Sequence, residues 1–396
     1  MQVDRRRFLF PIVGIVAVLV AAAIVVVAVV VPQRAELDAA TARLAAAVGE
    51  RDAAAAAVEE ARAALLAAGD EASGLVAVVG RGAVADPATL DALAAVTVDA
   101  GEPPVTAAVP ASPGDAAAID AVTARVEGET AVLEDRVASL AADRDAVAGA
   151  SRSVVASVHA WGLNTPTPPH APADAAAAYT TALDALAEPA DDADLVGLVT
   201  AFRTAFTTAL AAHEVASRSL DAASVQPTII NGTLIANKTF RIPSSYGAGL
   251  TPETEAAFAA MQAEAASLGL DLYISSGFRS FASQEAIYGN YVATQGQAEA
   301  DTHSARPGHS EHQTGLTFDL NSITEAFGST PEGIWVRDNA HRFGFIVRYP
   351  PGKEAITGYI WEPWHLRFVG VPLATELVTT GLTVEEYFGI TSAYSY

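Results

Sequence analysis

The sequence predicts an α+β domain from residue 226 onward, preceded by one long apolar helix and a mainly α-helical, Ala-rich region. Three observations carry this reading: an uncharged apolar run near the N-terminus, apolar residues recurring every seven positions through the middle of the chain, and an abrupt change of texture after Val225. With 396 residues the chain is longer than a single core usually grows, so more than one domain is expected.

The apolar run extends from Phe8 to Val31 behind Arg5, Arg6 and Arg7. At about 1.5 Å per residue it reaches about 36 Å, enough to cross a hydrocarbon core of about 30 Å with some tilt. By the positive-inside rule residues 1–7 stay in the cytoplasm, 8–31 span the membrane once, and everything after Arg34 lies on the extracytoplasmic side. The rival reading is a cleaved signal peptide, whose apolar core is shorter and is followed by a small-residue cleavage site. Here Pro32-Gln33-Arg34 follows instead. Arg5-Arg6-Arg7-Phe8-Leu9 also resembles a twin-arginine export signal.

Residues 35–68 read as an Ala-rich helical stalk. Leu37, Leu44, Val58 and Leu65 fall at multiples of seven, with Ala40, Ala47, Ala54 and Ala61 between them and Arg51 breaking the stripe. Alanine buries little area, so homo-oligomerisation through this face would be weak, and a simple spacer serves as well. Residues 69–114, with Gly101-Glu102-Pro103-Pro104, read as an irregular linker. Residues 115–225 read as a helical hairpin or bundle. Asp115 is the N-cap, Ile119, Val126, Leu133, Leu140, Val147 and Val154 follow at intervals of seven, and Pro166, Pro168 and Pro169 interrupt the pattern before helices within 173–187 and 191–222. His159, His170 and His213 have no ligand partners nearby in the sequence and are assigned no chemistry.

Beyond Val225, Thr228-Ile229-Ile230 and Thr233-Leu234-Ile235-Ala236 read as strands joined by the hairpin dipeptide Asn231-Gly232. A helix comes next, from Pro252 to Leu268 with Thr251 as N-cap, and then a strand at Leu272-Tyr273-Ile274. Helices and strands mix here without a regular βαβ alternation, as in α+β domains.

Composition excludes several functions. A formal net charge of −23, from 23 Lys plus Arg against 46 Asp plus Glu, offers no footprint for a nucleic-acid backbone. With no cysteine there is no thiolate metal site, catalytic thiol or disulfide. Any metal must be held by histidine and carboxylate. Two segments could supply them, Ser310-Glu311-His312-Gln313-Thr314-Gly315-Leu316-Thr317-Phe318-Asp319 and Tyr359-Ile360-Trp361-Glu362-Pro363-Trp364-His365-Leu366-Arg367-Phe368. A catalytic zinc takes three such ligands and leaves one position for a water whose pKa it lowers to about 7. His312, Asp319 and His365 could fill the three, leaving Glu362 as general base. In a straight strand His312 and Asp319 would face opposite ways, as would Glu362 and His365. Gly315 and Pro363 are the residues that can turn the chain and reconcile each pair.

Together with Ser276-Gly277-Phe278-Arg279-Ser280 and Ala305-Arg306-Pro307-Gly308-His309-Ser310, these segments resemble, in order, the motifs of the VanY-type D-alanyl-D-alanine carboxypeptidases. That family belongs to a wider metallopeptidase group with lysostaphin-type enzymes and the hedgehog signalling domain. The resemblance covers 226–396 and implies an antiparallel sheet with flanking helices, Zn2+ on His312, Asp319 and His365, Glu362 as base, and Arg279 stabilising the oxyanion or the substrate carboxylate. Gln284, Arg306 and Ser310 become candidates for the substrate pocket, and the substrate implied is the stem peptide of peptidoglycan, cut as a D,D- or L,D-carboxypeptidase. Phe278 stands where many relatives have Tyr, and Thr317 where the pattern usually has Ala. An endopeptidase and a non-catalytic zinc-bearing envelope module are the alternatives. The intact pair of Glu362 and Arg279 favours an enzyme.

Overall fold

The computed structural model describes residues 9–111 and 114–394, so the arginines read as cytoplasmic and Phe8 lie outside the described residues. The chain forms two compact units. One comprises the N-terminal part up to Ala72 with Val96–Gly149, and the other Ser73–Ala95 with Ala150–Tyr396.

The N-terminal helix does not stop at Pro32. It runs as α-helix over Leu9–Val25, one π-helical stretch over Val26–Val30, and α-helix again over Val31–Val78. Proline lacks an N–H and crowds the carbonyl four residues back. The wider turn before it, with Val31 N–H bonded to Val26 O, lets the helix continue. Apolar side chains from Ile15 to Val31 are exposed, and this helix is long and apolar enough to cross a membrane.

In the first unit the helix Val31–Val78 lies beside a second long helix, Ala116–Leu163, and the two run in the same direction. Arg43 pairs with Asp120 at 2.6 Å and Arg51 with Glu129 at 3.6 Å, so position advances together along both. Ala40, Leu44 and Ala47 bury against Ile119 and Val126. The first part of the stripe considered for self-association is therefore covered by this chain's own second helix. Parallel helices also need a return path. Residues 96–111 supply it as extended chain, whose roughly 16 residues span about 50 Å, the rise of about 35 helical residues. Arginines anchor this strap by its carbonyls. Arg62 Nε donates to Ala100 O (3.1 Å), Arg62 Nη2 to Gly101 O (2.8 Å), and Arg51 Nη1 to Ala107 O (2.8 Å). Arg51, read from sequence as a break in the stripe, is buried there. The segment expected as an irregular linker thus holds the end of one helix, a short helix at Pro87–Ala94, and this strap.

In the second unit the helices Ala173–Asp184 and Leu195–Arg218 pack as a pair. Trp161 meets Phe206 edge-on at 5.0 Å, and Tyr179 meets Phe202 at 5.7 Å. A short hairpin is fastened to this helical part. Strands β1 (Thr228–Ile230) and β2 (Thr233–Ile235) close through Asn231 and Gly232, both at positive φ, as the hairpin dipeptide demands. The turn donates back to the end of the long helix, from Asn231 N to Thr165 Oγ1 (2.9 Å) and from Gly232 N to Asn164 O (2.9 Å). This is why the compact unit begins well before residue 226.

The remaining strands, β3 (Ile274–Ser276), β4 (Thr317–Leu320), β5 (Phe345–Val347) and β6 (His365–Phe368), form an antiparallel sheet in the order β3-β4-β6-β5. Phe318, Leu320, Phe345 and Leu366 pack with Phe258, Met261 and Ala265 of the helix Pro252–Ser267. Thr251 caps that helix, its side chain accepting from Thr254 N. Because side chains alternate along a strand, putting Phe318 and Leu366 in the core sends Asp319 and His365 to the opposite face.

His170 and His213 lie stacked, ring centroids 5.3 Å apart, where the helical pair meets β1. His213 Nδ1 accepts from His170 N (3.1 Å), its Nε2 lies 2.9 Å from Thr228 Oγ1, and His170 Nε2 accepts from Gln226 N (2.9 Å). Burial, and next the neighbouring His170, push His213 down to about 4, whereas the unfolded chain titrates at about 6.5. Above pH 6.5 both states are neutral. As pH falls from there towards 4, the unfolded chain takes up a proton that the folded chain refuses, and stability drops by a total of about 3 kcal/mol. Urea unfolding at pH 7 and pH 4.5 is expected to show a larger loss in the parent than in His213→Gln, and equal losses would contradict this account.

Candidate active site

The candidate ligands come together through strand register. Asp319 and His365 are directly opposite on β4 and β6, so their side chains leave the sheet side by side. His312 arrives from a 3-10 turn, Glu311–Thr314, that ends at Gly315 with φ 74°. A Cβ on Gly315 would sit 2.3 Å from Gly249 O, so only glycine fits this turn. Glu362 lies in the bend before β6, where its N–H donates to Tyr349 O and its carbonyl accepts from His365 N (3.1 Å).

One ligand atom from each of His312, Asp319 and His365 lies within 4.8 Å of the other two, and all three residues are buried. His312 Nε2 is 3.3 Å from Asp319 Oδ2, and His365 Nδ1 is 3.2 Å from Asp319 Oδ1. Donors about 2.0–2.1 Å from a tetrahedral zinc stand about 3.3 Å apart, so these spacings suit that ion. The histidine tautomers also suit it. His312 Nδ1–H donates to Gly277 O (2.7 Å), which frees Nε2, and His365 Nε2 faces Glu311 Oε2 at 3.4 Å, which frees Nδ1. Asp319 Oδ1 is buried without a hydrogen-bond partner although the imidazole nitrogen is close. Two lone pairs facing each other call for a cation between them. The residues present therefore fit a zinc ion.

Electrostatics agree with this division. Burial pushes the Glu362 carboxyl up to about 7, against the pull of His365, 3.5 Å away. Burial would raise Asp319 too, but His312 and His365 hold it well below the usual carboxylate range. Burial would lower His365, yet the carboxylates of Asp319 and Glu311 on either side of the ring raise it to about 9.

A cavity of about 450 Å³ opens on this group, walled in part by Arg279, His303, Ser310, Tyr349 and Tyr359. Arg279 is the guanidinium in that wall. Its Nη1 donates to Gln284 Oε1 (2.9 Å), its Nη2 to Ser276 Oγ (3.1 Å), and Nη2 lies 3.8 Å from Asp319 Oδ2. Gln284 is fully buried and bonded to Ala305 O (2.7 Å), so it holds Arg279 rather than lining the cavity. Arg306, a candidate for the pocket, does not reach it. Its guanidinium is bound to Asp301 (Nε 3.1 Å, Nη2 2.8 Å) and stacked over Tyr394 at 4.0 Å. His309 is buried with Nδ1 donating to Asn237 O (2.7 Å).

Sequence reading missed Glu311. Burial alone would raise its carboxyl, but Arg348 and Arg367 beside it hold it well below the usual range. Two arginines inside apolar strand segments, at Arg348 and Arg367, were the available signal.

The family described as D-alanyl-D-alanine carboxypeptidase, VanY, matches residues 247–371. The Bacillus subtilis (strain 168) protein YodJ is 49% identical over 126 residues, covering 30% of this chain and 46% of that protein. The Enterococcus gallinarum bifunctional D-Ala-D-Ala dipeptidase and D-Ala-D-Ala carboxypeptidase VanXYC is 32% identical over 131 residues, covering 31% of this chain and 69% of that protein. The solved structure of an L,D-carboxypeptidase, DacB from Streptococcus pneumoniae, is 38% identical, with a TM-score of 0.37 and coverage of 43% of this chain and 92% of that one. This chain thus spans under half the length of YodJ.

Titration of the full chain in detergent with zinc is expected to show one tight site. His312→Ala, which removes one of three ligands, is expected to weaken it at least about 100-fold. Unchanged affinity would place the ion elsewhere.

Proposed function

Since the chain belongs through residues 247–371 to the VanY family of D-alanyl-D-alanine carboxypeptidases, we propose that it is a membrane-anchored, extracytoplasmic zinc carboxypeptidase that removes the terminal D-alanine of peptidoglycan stem peptides, acting as a D,D- or L,D-enzyme. The observation that carries this reading is the placement of buried Glu362 3.5 Å from candidate ligand His365, at the wall of a cavity that also presents Arg279.

Zinc held by His312, Asp319 and His365 would act as a Lewis acid and lower the pKa of an adjacent water to about 7. Glu362, buried beside the ligands, would take a proton from water and return it to the leaving amine. The same burial keeps bulk water from competing for that proton. Arg279 is fixed in direction by Gln284 and Ser276, so its charge needs little reorganisation to meet the negative charge developing on the peptide oxygen. With Arg306 committed to Asp301, Arg279 is also the best-placed guanidinium for a substrate carboxylate. The helix that includes Ile15–Val31 would tether the enzyme to the bilayer.

Glu362→Gln keeps size and polarity but cannot accept the proton. The full chain carrying it is expected to bind zinc within about threefold of the parent and to lose turnover on a pentapeptide stem by a factor of about 10³ or more. Near-normal turnover would sink the assignment of the base. Cleavage within cross-linked peptides, with free stems untouched, would point to an endopeptidase instead.

A further inference from the structure

Glu311 has both oxygens engaged. Oε1 accepts from Arg348 Nε (2.9 Å) and Arg367 Nη1 (3.1 Å), while Oε2 faces His365 Nε2 at 3.4 Å. The two arginines cannot follow a moving carboxylate, because their other nitrogens are taken. Arg348 Nη1 and Nη2 donate to Glu385 (2.9 and 2.6 Å), and Arg367 Nη2 donates to Leu234 O (2.8 Å). Glu385 comes from the short helix Val384–Phe388 and also accepts from Asn237 Nδ2 (3.1 Å). The cluster therefore ties β2, the 3-10 turn, the end of β5, β6 and the C-terminal helix to one point behind His365. Stability alone does not call for it, since a buried ion-pair cluster gains little over apolar packing of the same volume.

We propose that Glu311 is a positioning residue: it keeps the proton of His365 on Nε2 and so presents the Nδ1 lone pair to the metal ion opposite Asp319. This rests on the zinc reading of the site. The imidazole could otherwise rotate or carry its proton on Nδ1, where it would donate to Asp319 and close the position. Partners of this kind change metal affinity by about 10–100-fold.

The test measures zinc affinity, by competition with a chromogenic chelator, for the full chain in detergent as parent, Glu311→Gln and Glu385→Gln. Both variants remove one charge from the same cluster, but only the first touches His365. The expected result is affinity about 10–100-fold weaker in Glu311→Gln and within about threefold of the parent in Glu385→Gln. Long-range ¹⁵N–¹H spectra of the zinc-loaded, histidine-labelled parent are expected to show His365 protonated at Nε2. A proton on Nδ1 would overturn the proposal even if Glu311→Gln does not fold. Equal weakening in both variants would mean a general packing role and overturn the proposal, as would undiminished affinity in Glu311→Gln or a proton on Nδ1. A parent that takes up no zinc would overturn the zinc reading itself, and the inference with it.

Discussion

The register between β4 and β6 is the constraint on which the rest of the site depends. Asp319 sits opposite His365, and the neighbouring pair Phe318 and Leu366 faces the core. A slip of one residue would exchange the two faces, bringing a carboxylate and an imidazole among Phe258, Met261 and Phe345 and sending apolar side chains into the cavity. The cost of burying an unpaired carboxylate makes that slip unfavourable, so the packing of the core fixes the geometry of the chemistry.

Around this pair the chain uses rigid turns to bring in what the sheet cannot. Gly315 reverses the 3-10 turn so that His312 meets Asp319, and the bend at Pro363 aims Glu362 at the same point. The buried Glu311, Arg348, Arg367 and Glu385 cluster then supports the far side of His365. Arg279 is held in the same manner by the buried Gln284, so the groups facing the cavity are directed by fixed partners.

What was legible in the sequence was local. The Asn231-Gly232 turn, the Thr251 cap, Gly315 and Pro363 each act through the backbone of their neighbours, and their residue types announce the conformation. The heptad spacing also showed which helical faces would be covered, since the buried positions include Leu44, Leu65, Val126 and Val147. It did not show the partner or its direction, because parallel and antiparallel pairing ask for the same stripe. The long-range contacts, among them those of Arg43 with Asp120, Arg51 with Glu129 and Ala107, and Arg62 with Ala100, reveal the parallel helices and the returning strap. The roles of Arg306 and Glu311 were not legible for the same reason. Arg306 is diverted by an aspartate five residues away, whereas Glu311 is pinned by arginines 37 and 56 residues distant, and motif position distinguishes neither from a substrate contact.

In the proposed reaction a metal ion at His312, Asp319 and His365 would let Glu362 drive hydrolysis of a terminal peptide bond. Its most direct test is mass spectrometry of purified pentapeptide and tetrapeptide stems incubated with the full chain, zinc-loaded and chelated. The account predicts loss of a single terminal alanine from one of the two stems, abolished by the chelator and restored by zinc. Intact stems in the presence of bound zinc, or cleavage that the chelator leaves untouched, would contradict it.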